Sequence, residues 1–267
     1  MQLASHTIQF SPLLGGNTGL DEVLGATALA GFDAVGIDIG IIDAYLLSGG
    51  TVAGVAAALS SHGLSCTDVV FLPVGADDAV TVALTRRVGA LAAAVGAPLC
   101  VVGIVASLRR DELDDRVARC ATMLTEQGVR MAVEFTPYGE LTSPAGARRV
   151  CDAVGWDRAG LLLDSLHTFR GGTALADVAA LAADEIALVQ FSDAAGPPPD
   201  DLAAESRHRR LLPGEGDLPL REFVGAIRET GFDGTVAAEV LSDDVRRSDA
   251  VGFSKALRAA LDDHWPT

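Results

Sequence analysis

The chain has 267 residues, 49% of them hydrophobic and 21% charged, with a formal net charge of -16 and a pI near 4.5. That length and composition are enough for a sizeable core and exclude a disordered chain. The acidity repels phosphate backbones and anionic lipid at long range, so nucleic acid and membrane surfaces are excluded as expected partners and a small polar molecule is favoured.

In chain order, short β-branched or apolar runs alternate with Ala-, Leu- and Arg-rich stretches of helical character. Strands are expected at 6–10 (HTIQF), 34–39, 66–72, 99–105, 129–135, 159–164, 186–192 and 235–241. Helices are expected near 20–30, 51–62, 77–96, 111–127, 143–154, 174–182, 218–230 and 246–263. Glycine-containing stops precede several strands, in AGFD (30–33), SHGLS (61–65), VGAP (95–98), EQGVR (126–130) and TGFDG (230–234). A glycine there takes the left-handed conformation that ends a helix.

Each strand is thus followed by one helix. Eight such units predict an α/β fold, a (β/α)8 TIM barrel in a single domain over residues 1–267. The competing doubly wound sheet expects GxGxxG after the first strand, and SPLLGGNTG spaces its glycines differently.

Cys66, Cys100, Cys120 and Cys151 form no CxxC pair and read as reduced, buried residues. The N-terminus MQLASHTIQF has no basic region followed by an apolar run, and no stretch approaches the ~18 uninterrupted apolar residues of a membrane span. A cytoplasmic protein is expected, with homo-oligomerisation left open.

A barrel of this kind carries its site at the carboxyl ends of the strands, so polar residues that interrupt apolar strands there are the informative ones. Four consecutive strands have one: Glu134 in MAVEF, Asp164 in LLLD, Gln190 in ALVQF and Glu239 in VAAEV. Carboxylates among Val, Ala and Leu are costly unless paired or bound to a cation. One divalent metal ion resolves their repulsion, with Mg²⁺ or Mn²⁺ suited to hard oxygen donors and Co²⁺ or Zn²⁺ also admissible. The alternative is that each acid pairs with an Arg or Lys.

The connection after strand seven, about 193–217, is far longer than the ~2–6 residues usual for a βα link and reads as a possible lid. Asp217 is placed to cap the next helix. The RHRR run (207–210) supplies guanidinium groups suited to carboxylate or phosphate. Arg210, directly before LLPG, is expected to point inward, and His208 is a second candidate for substrate binding. Phe10, Phe71, Phe135, Tyr138, Phe169 and Phe191 are the aromatic residues expected to flank the mouth, and Arg170 reads as structural.

MAVEFTPYG, GLLLDSLHTFRGG, LVQFSDA, SRHRRLLPGEGDLPL and VAAEVLSDD, in this order, resemble the sugar phosphate isomerase/epimerase family of xylose-isomerase-like barrels, also called AP endonuclease family 2. The resemblance implies a divalent metal held by Glu134, Asp164, Gln190 and Glu239, with the two glutamates exchanging protons with a substrate carbon. It also implies His167 beside the substrate and Arg210 on its anionic or polar end. Gln190 stands where many members have His, and Gln also occurs there in members resembling hydroxypyruvate isomerase. The His residues that the endonuclease branch carries on strands three and four are missing from VVFLP and VVGIV.

The implied activity is a metal-dependent sugar isomerase or epimerase, working through an enediolate of a polyhydroxylated keto substrate. Loss of a beta hydroxyl from the same species would make it a lyase of the 3-dehydroshikimate dehydratase or inosose type, whose loop motifs are similar. A non-catalytic or partner-dependent binding barrel is the third reading, because fold does not fix function.

Overall fold

The computed structural model describes residues 1–266. Eight parallel strands close into a barrel in sequence order, β8 pairing with β1. They are β1 (Gln2–His6), β2 (Ala34–Asp38), β3 (Ser65–Val74), β4 (Leu99–Ile104), β5 (Arg130–Glu134), β6 (Ala159–Asp164), β7 (Ile186–Phe191) and β8 (Thr235–Ala238). Longer helices at Leu20–Leu29, Val52–Ser61, Asp78–Val95, Arg110–Thr125, Pro144–Val154, Leu220–Glu229 and Ala250–His264 cover the outside, with a short one at Leu175–Ala179. Among the described residues no single helix is long and apolar enough to cross a membrane.

Strands buried on both faces explain the near-continuous apolar runs in the sequence. One face, with Val133, Leu161, Leu163 and Val189, packs against the helices. The other fills the barrel with Ala4, Ala34, Val70, Val101, Ala132, Leu162, Leu188 and Ala237. Side chains alternate along a strand, so the residue two positions beyond an interior one also points inward. Ala132 thereby delivers Glu134, Leu162 delivers Asp164, Leu188 delivers Gln190 and Ala237 delivers Glu239.

The helix-stopping glycines adopt positive φ, including Gly63 at 68° and Gly96 at 73°. The first strand differs from expectation. It runs over Gln2–His6, and Thr7–Phe10 forms a 3-10 turn. Ile8 N donates to His6 Nδ1 at 3.1 Å and Gln9 Nε2 to the His6 carbonyl at 2.9 Å, local bonds that replace a strand ladder. Four of the expected mouth aromatics also differ: Phe10, Phe135 and Phe191 are buried in the core, and Phe169 packs against it.

Helices at Ile39–Leu47, Ser165–Arg170, Leu202–His208 and Asp243–Arg247 add to the one-helix-per-strand pattern. The segment after β7 is tied down at both ends. Arg170 donates to both carboxylate oxygens of Glu205, at 2.8 and 2.7 Å. Buried Asp193 accepts from the backbone N–H groups of Gly214, Gly216 and Leu218 at 2.9, 3.0 and 3.1 Å. Asp217 does not cap the helix beginning at Leu220; it accepts from Gly196 N at 2.7 Å.

Candidate active site

The four strand-end residues meet at the mouth of the barrel. Asp164 and Gln190 are directly opposed in register across β6 and β7, and Gln190 opposes Ala237 across β7 and β8. Asp164 also caps the helix Ser165–Arg170, its Oδ1 accepting from His167 N at 3.0 Å. That cap turns the His167 ring back towards the acids. His167 Nε2 lies 3.5 Å from Glu134 Oε1 and 4.0 Å from Asp164 Oδ2. Tyr138 meets the same ring edge-on, centroids 5.6 Å apart.

Arg210 is buried at the centre, as its position before LLPG predicts. Its Nη1 donates to Asp164 Oδ2 at 2.6 Å and its Nη2 lies 3.0 Å from Glu239 Oε2. Nε donates to the Ser206 carbonyl at 2.8 Å, and further bonds reach Ser192 Oγ, Ser206 Oγ and the Glu239 carbonyl. A guanidinium has five N–H donors, and these contacts leave none free for a substrate's anionic end. In this arrangement Arg210 holds the site's own carboxylates.

The acids respond differently to this environment. Burial pushes Glu239 up to about 7, with the neighbouring charges of Glu134 and Asp164 adding to the effect and Arg210 opposing it. Burial also acts to raise Asp164, but Arg210 and His167 outweigh it and hold that carboxyl below its ordinary value. Burial raises the Tyr138 phenol to about 12.

Gln190 Nε2 donates to Glu239 Oε1 at 2.9 Å, while Gln190 Oε1 is buried without a hydrogen-bond partner. His167 Nδ1 is likewise buried and unpartnered. Glu134, Asp164 and His167 each offer a ligand atom, all within 4.8 Å of one another. Three carboxylates against one guanidinium, with a spare amide oxygen among them, form a donor set that fits a hard divalent cation.

His208 is not joined to this group. Its Nδ1 lies 2.9 Å from Asp243 Oδ1, its side chain is 42% exposed, and it does not line the cavity. The reason is its place on the last turn of Leu202–His208, which faces the Asp243–Arg247 helix through Arg246. Of the expected aromatics, Phe71 and Tyr138 do line the cavity.

Sequence reasoning missed a buried pair beneath the mouth. His6 Nε2 lies 3.0 Å from Asp68 Oδ2, and Thr67 Oγ1 donates to Asp68 Oδ1 at 2.7 Å. Because His6 Nδ1 accepts from Ile8 N, Nε2 carries the proton given to Asp68. Gly36 makes room for the ring, since a Cβ there would stand 2.3 Å from His6 Cδ2. The available signal was Asp68 interrupting the apolar run of CTDVVFL.

The description "xylose isomerase-like TIM barrel" matches residues 24–262. The chain belongs to this xylose isomerase-like family. Curated relatives of this barrel include an inosose isomerase of Halalkalibacterium halodurans, 27% identical over 54% of this chain and 52% of the relative. A 3-dehydroshikimate dehydratase of Pseudomonas aeruginosa is 29% identical over 54% of this chain and 24% of the relative. The matched region thus spans about half of the first and a quarter of the second. The xylose isomerase-like fold superposes on the IOLI protein with a binding zinc atom, TM-score 0.87 at 16% identity over 100% of both chains. An L-ribulose 3-epimerase gives 0.74 at 18% identity over 99% and 94%.

Proposed function

We propose that this barrel is a divalent-metal-dependent isomerase or epimerase of a polyhydroxylated keto substrate. The observation that carries the reading is the meeting of Glu134, Glu239 and His167 on the wall of one cavity, with buried Asp164 and Gln190 beside them, in a family whose curated relatives include isomerases. Glu134, Asp164, Gln190 and Glu239 would hold the cation, with His167 beside Glu134 and Asp164 and lining the cavity. When bound there, it supplies Lewis acidity to the substrate carbonyl and adjacent hydroxyl, which lowers the cost of an enediolate.

The protein's own groups do the rest. Glu134 and Glu239 stand at the ends of β5 and β8, with β6 and β7 between them, so a substrate carbon over Asp164 and Gln190 has a carboxylate on either side. One removes the proton next to the carbonyl and the other returns one to the opposite face. His167 Nε2 donates to a substrate oxygen. Arg210 fixes Asp164 and Glu239 in place.

The dehydratase relatives favour a second reading, in which a beta hydroxyl leaves and the protein is a lyase. Both readings begin with the same proton removal. Metal-loaded protein incubated with ketoses, inososes and 3-dehydroshikimate in deuterated water separates them. Deuterium at the carbon next to the carbonyl without loss of water supports the isomerase, and a new conjugated chromophore supports the lyase. Absence of both across the panel, with ligand still bound, supports a binding barrel instead.

A further inference from the structure

The cavity, about 640 Å³, has two unlike halves. Its polar half is the cluster at the ends of β5 to β8. The half formed by β1 to β4 and the segments after them presents Ile8, Leu13, Ile39, Phe71, Val101 and Val105. Asp38 also lies there, but its Oδ2 accepts from Ile41 N at 3.0 Å to cap the helix Ile39–Leu47.

Phe71 is held in place by the backbone. Val70 and Leu72 pair with consecutive residues Val101 and Val102 of β4, which leaves Phe71 as the extra residue of a bulge. Bulges re-aim a side chain relative to its strand. The ring lies against Gly103, where a Cβ would stand 2.5 Å from Phe71 Cε2 and 2.7 Å from Cζ. At the rim, Leu13 and Val105 are 74% and 55% exposed. Apolar side chains left open in a concave site mark a surface that a ligand covers.

The charges narrow that ligand further. Asp38, Glu134, Glu140 and Glu239 line the cavity against the guanidinium groups of Arg207 and Arg210. Arg210 is engaged by Asp164 and Glu239, and exposed Arg207 lies over the Tyr138 ring, 6.0 Å from its centroid. A phosphate or carboxylate tail finds no uncommitted buried cation here.

We propose that the substrate is an uncharged hydroxyketone with an apolar aryl or alkyl arm, its polar head at the carboxylate cluster and its arm on Phe71. The identity of the head rests on the functional reading above; the arm and the neutrality are read from the apolar wall and the cavity's charges. A second copy of the chain is the other conceivable cover for the wall.

Titration calorimetry with 2-hydroxyacetophenone and hydroxyacetone, on Mg²⁺-loaded protein, tests the arm. The aryl ketone is expected to bind at least about 10-fold more tightly, by the apolar area it buries. Phe71→Ala, and Leu13→Ser at the exposed rim where folding is not at stake, should each shrink that ratio to a few-fold. 4-(Hydroxyacetyl)benzoate, which carries its carboxylate on the arm, should bind no more tightly than 2-hydroxyacetophenone. Equal binding of the two ketones, an unchanged ratio in both variants, or tighter binding of the anion overturns the proposal. So does dimerisation in sedimentation that Leu13→Ser abolishes. An aryl preference without deuterium exchange on any substrate supports this inference while defeating the isomerase reading, and exchange without the preference does the reverse.

Discussion

Arg210 Nη1 lies 2.6 Å from Asp164 Oδ2, and its other terminal nitrogen 3.0 Å from Glu239 Oε2, so one buried guanidinium joins the ends of β6 and β8. The contact is deep, with both Arg210 and Asp164 almost fully buried. Removing one partner of such a pair leaves an uncompensated charge, which costs about 3–5 kcal/mol. Arg210→Met should therefore lower the melting temperature sharply in chelator-treated protein. Excess Mn²⁺ should restore more of the loss than it adds to the parent, because a cation would supply the missing positive charge. Equal shifts in both proteins would show that the metal binds elsewhere.

Glu239 gives the metal-free protein a pH dependence of definite sign. Its folded pKa is about 7 against an ordinary 4.5, so the protonated form is favoured by folding. Its contribution is fully present below about 4.5 and is lost as pH rises through about 7. Between pH 5 and pH 8 the parent should lose more stability than Glu239→Gln, by denaturant titration in the presence of chelator. Identical slopes for the two would contradict the placement of Glu239 among buried acids.

The four cysteines are free and buried. Burial raises each thiol, Cys151 to about 12. A thiolate is the reactive form, so a thiol-specific disulfide reagent at pH 8 should label native protein only as fast as it opens, and label all four on unfolding. Rapid labelling of even one in the native state would contradict the packing around it.

The barrel was legible because its strands are buried on both faces and read as apolar runs, each ended by a turn or a cap. Strand-end acids stood out for the same reason: Glu134, Asp164 and Glu239 interrupt those runs at the position that alternation sends inward. What escaped depends on partners distant in sequence. HTIQF alternates like a strand, yet side-chain bonds from His6 and Gln9 to the backbone bend it into a turn. His208 and Arg210 are two residues apart in one basic run, and only the packing of Leu202–His208 against Asp243–Arg247 sends one outward and the other to the centre. His6 and Asp68 meet across β1 and β3 through a space that Gly36 leaves open, a relation no local pattern displays.

Gln190 is the residue whose role can be separated from the fold most cleanly. Its buried Oε1 has no protein partner, while its Nε2 donates to Glu239. If that oxygen serves the cation, Gln190→Met should weaken Mn²⁺ binding by about 10-fold or more, with a smaller effect on the melting temperature of chelator-treated protein. Unchanged affinity would remove Gln190 from the ligand set.

Elemental analysis reads out the divalent-metal site at the ends of β5 to β8 with no intermediate step. The parent, Asp164→Asn and Glu239→Gln are stripped with chelator, reloaded with Mn²⁺ and freed of excess ion. The parent should retain about one ion per chain, as expected for a single site of hard oxygen donors, and both variants much less. Equal retention by all three, or none by the parent at saturating Mn²⁺, Mg²⁺, Co²⁺ and Zn²⁺, would contradict the account.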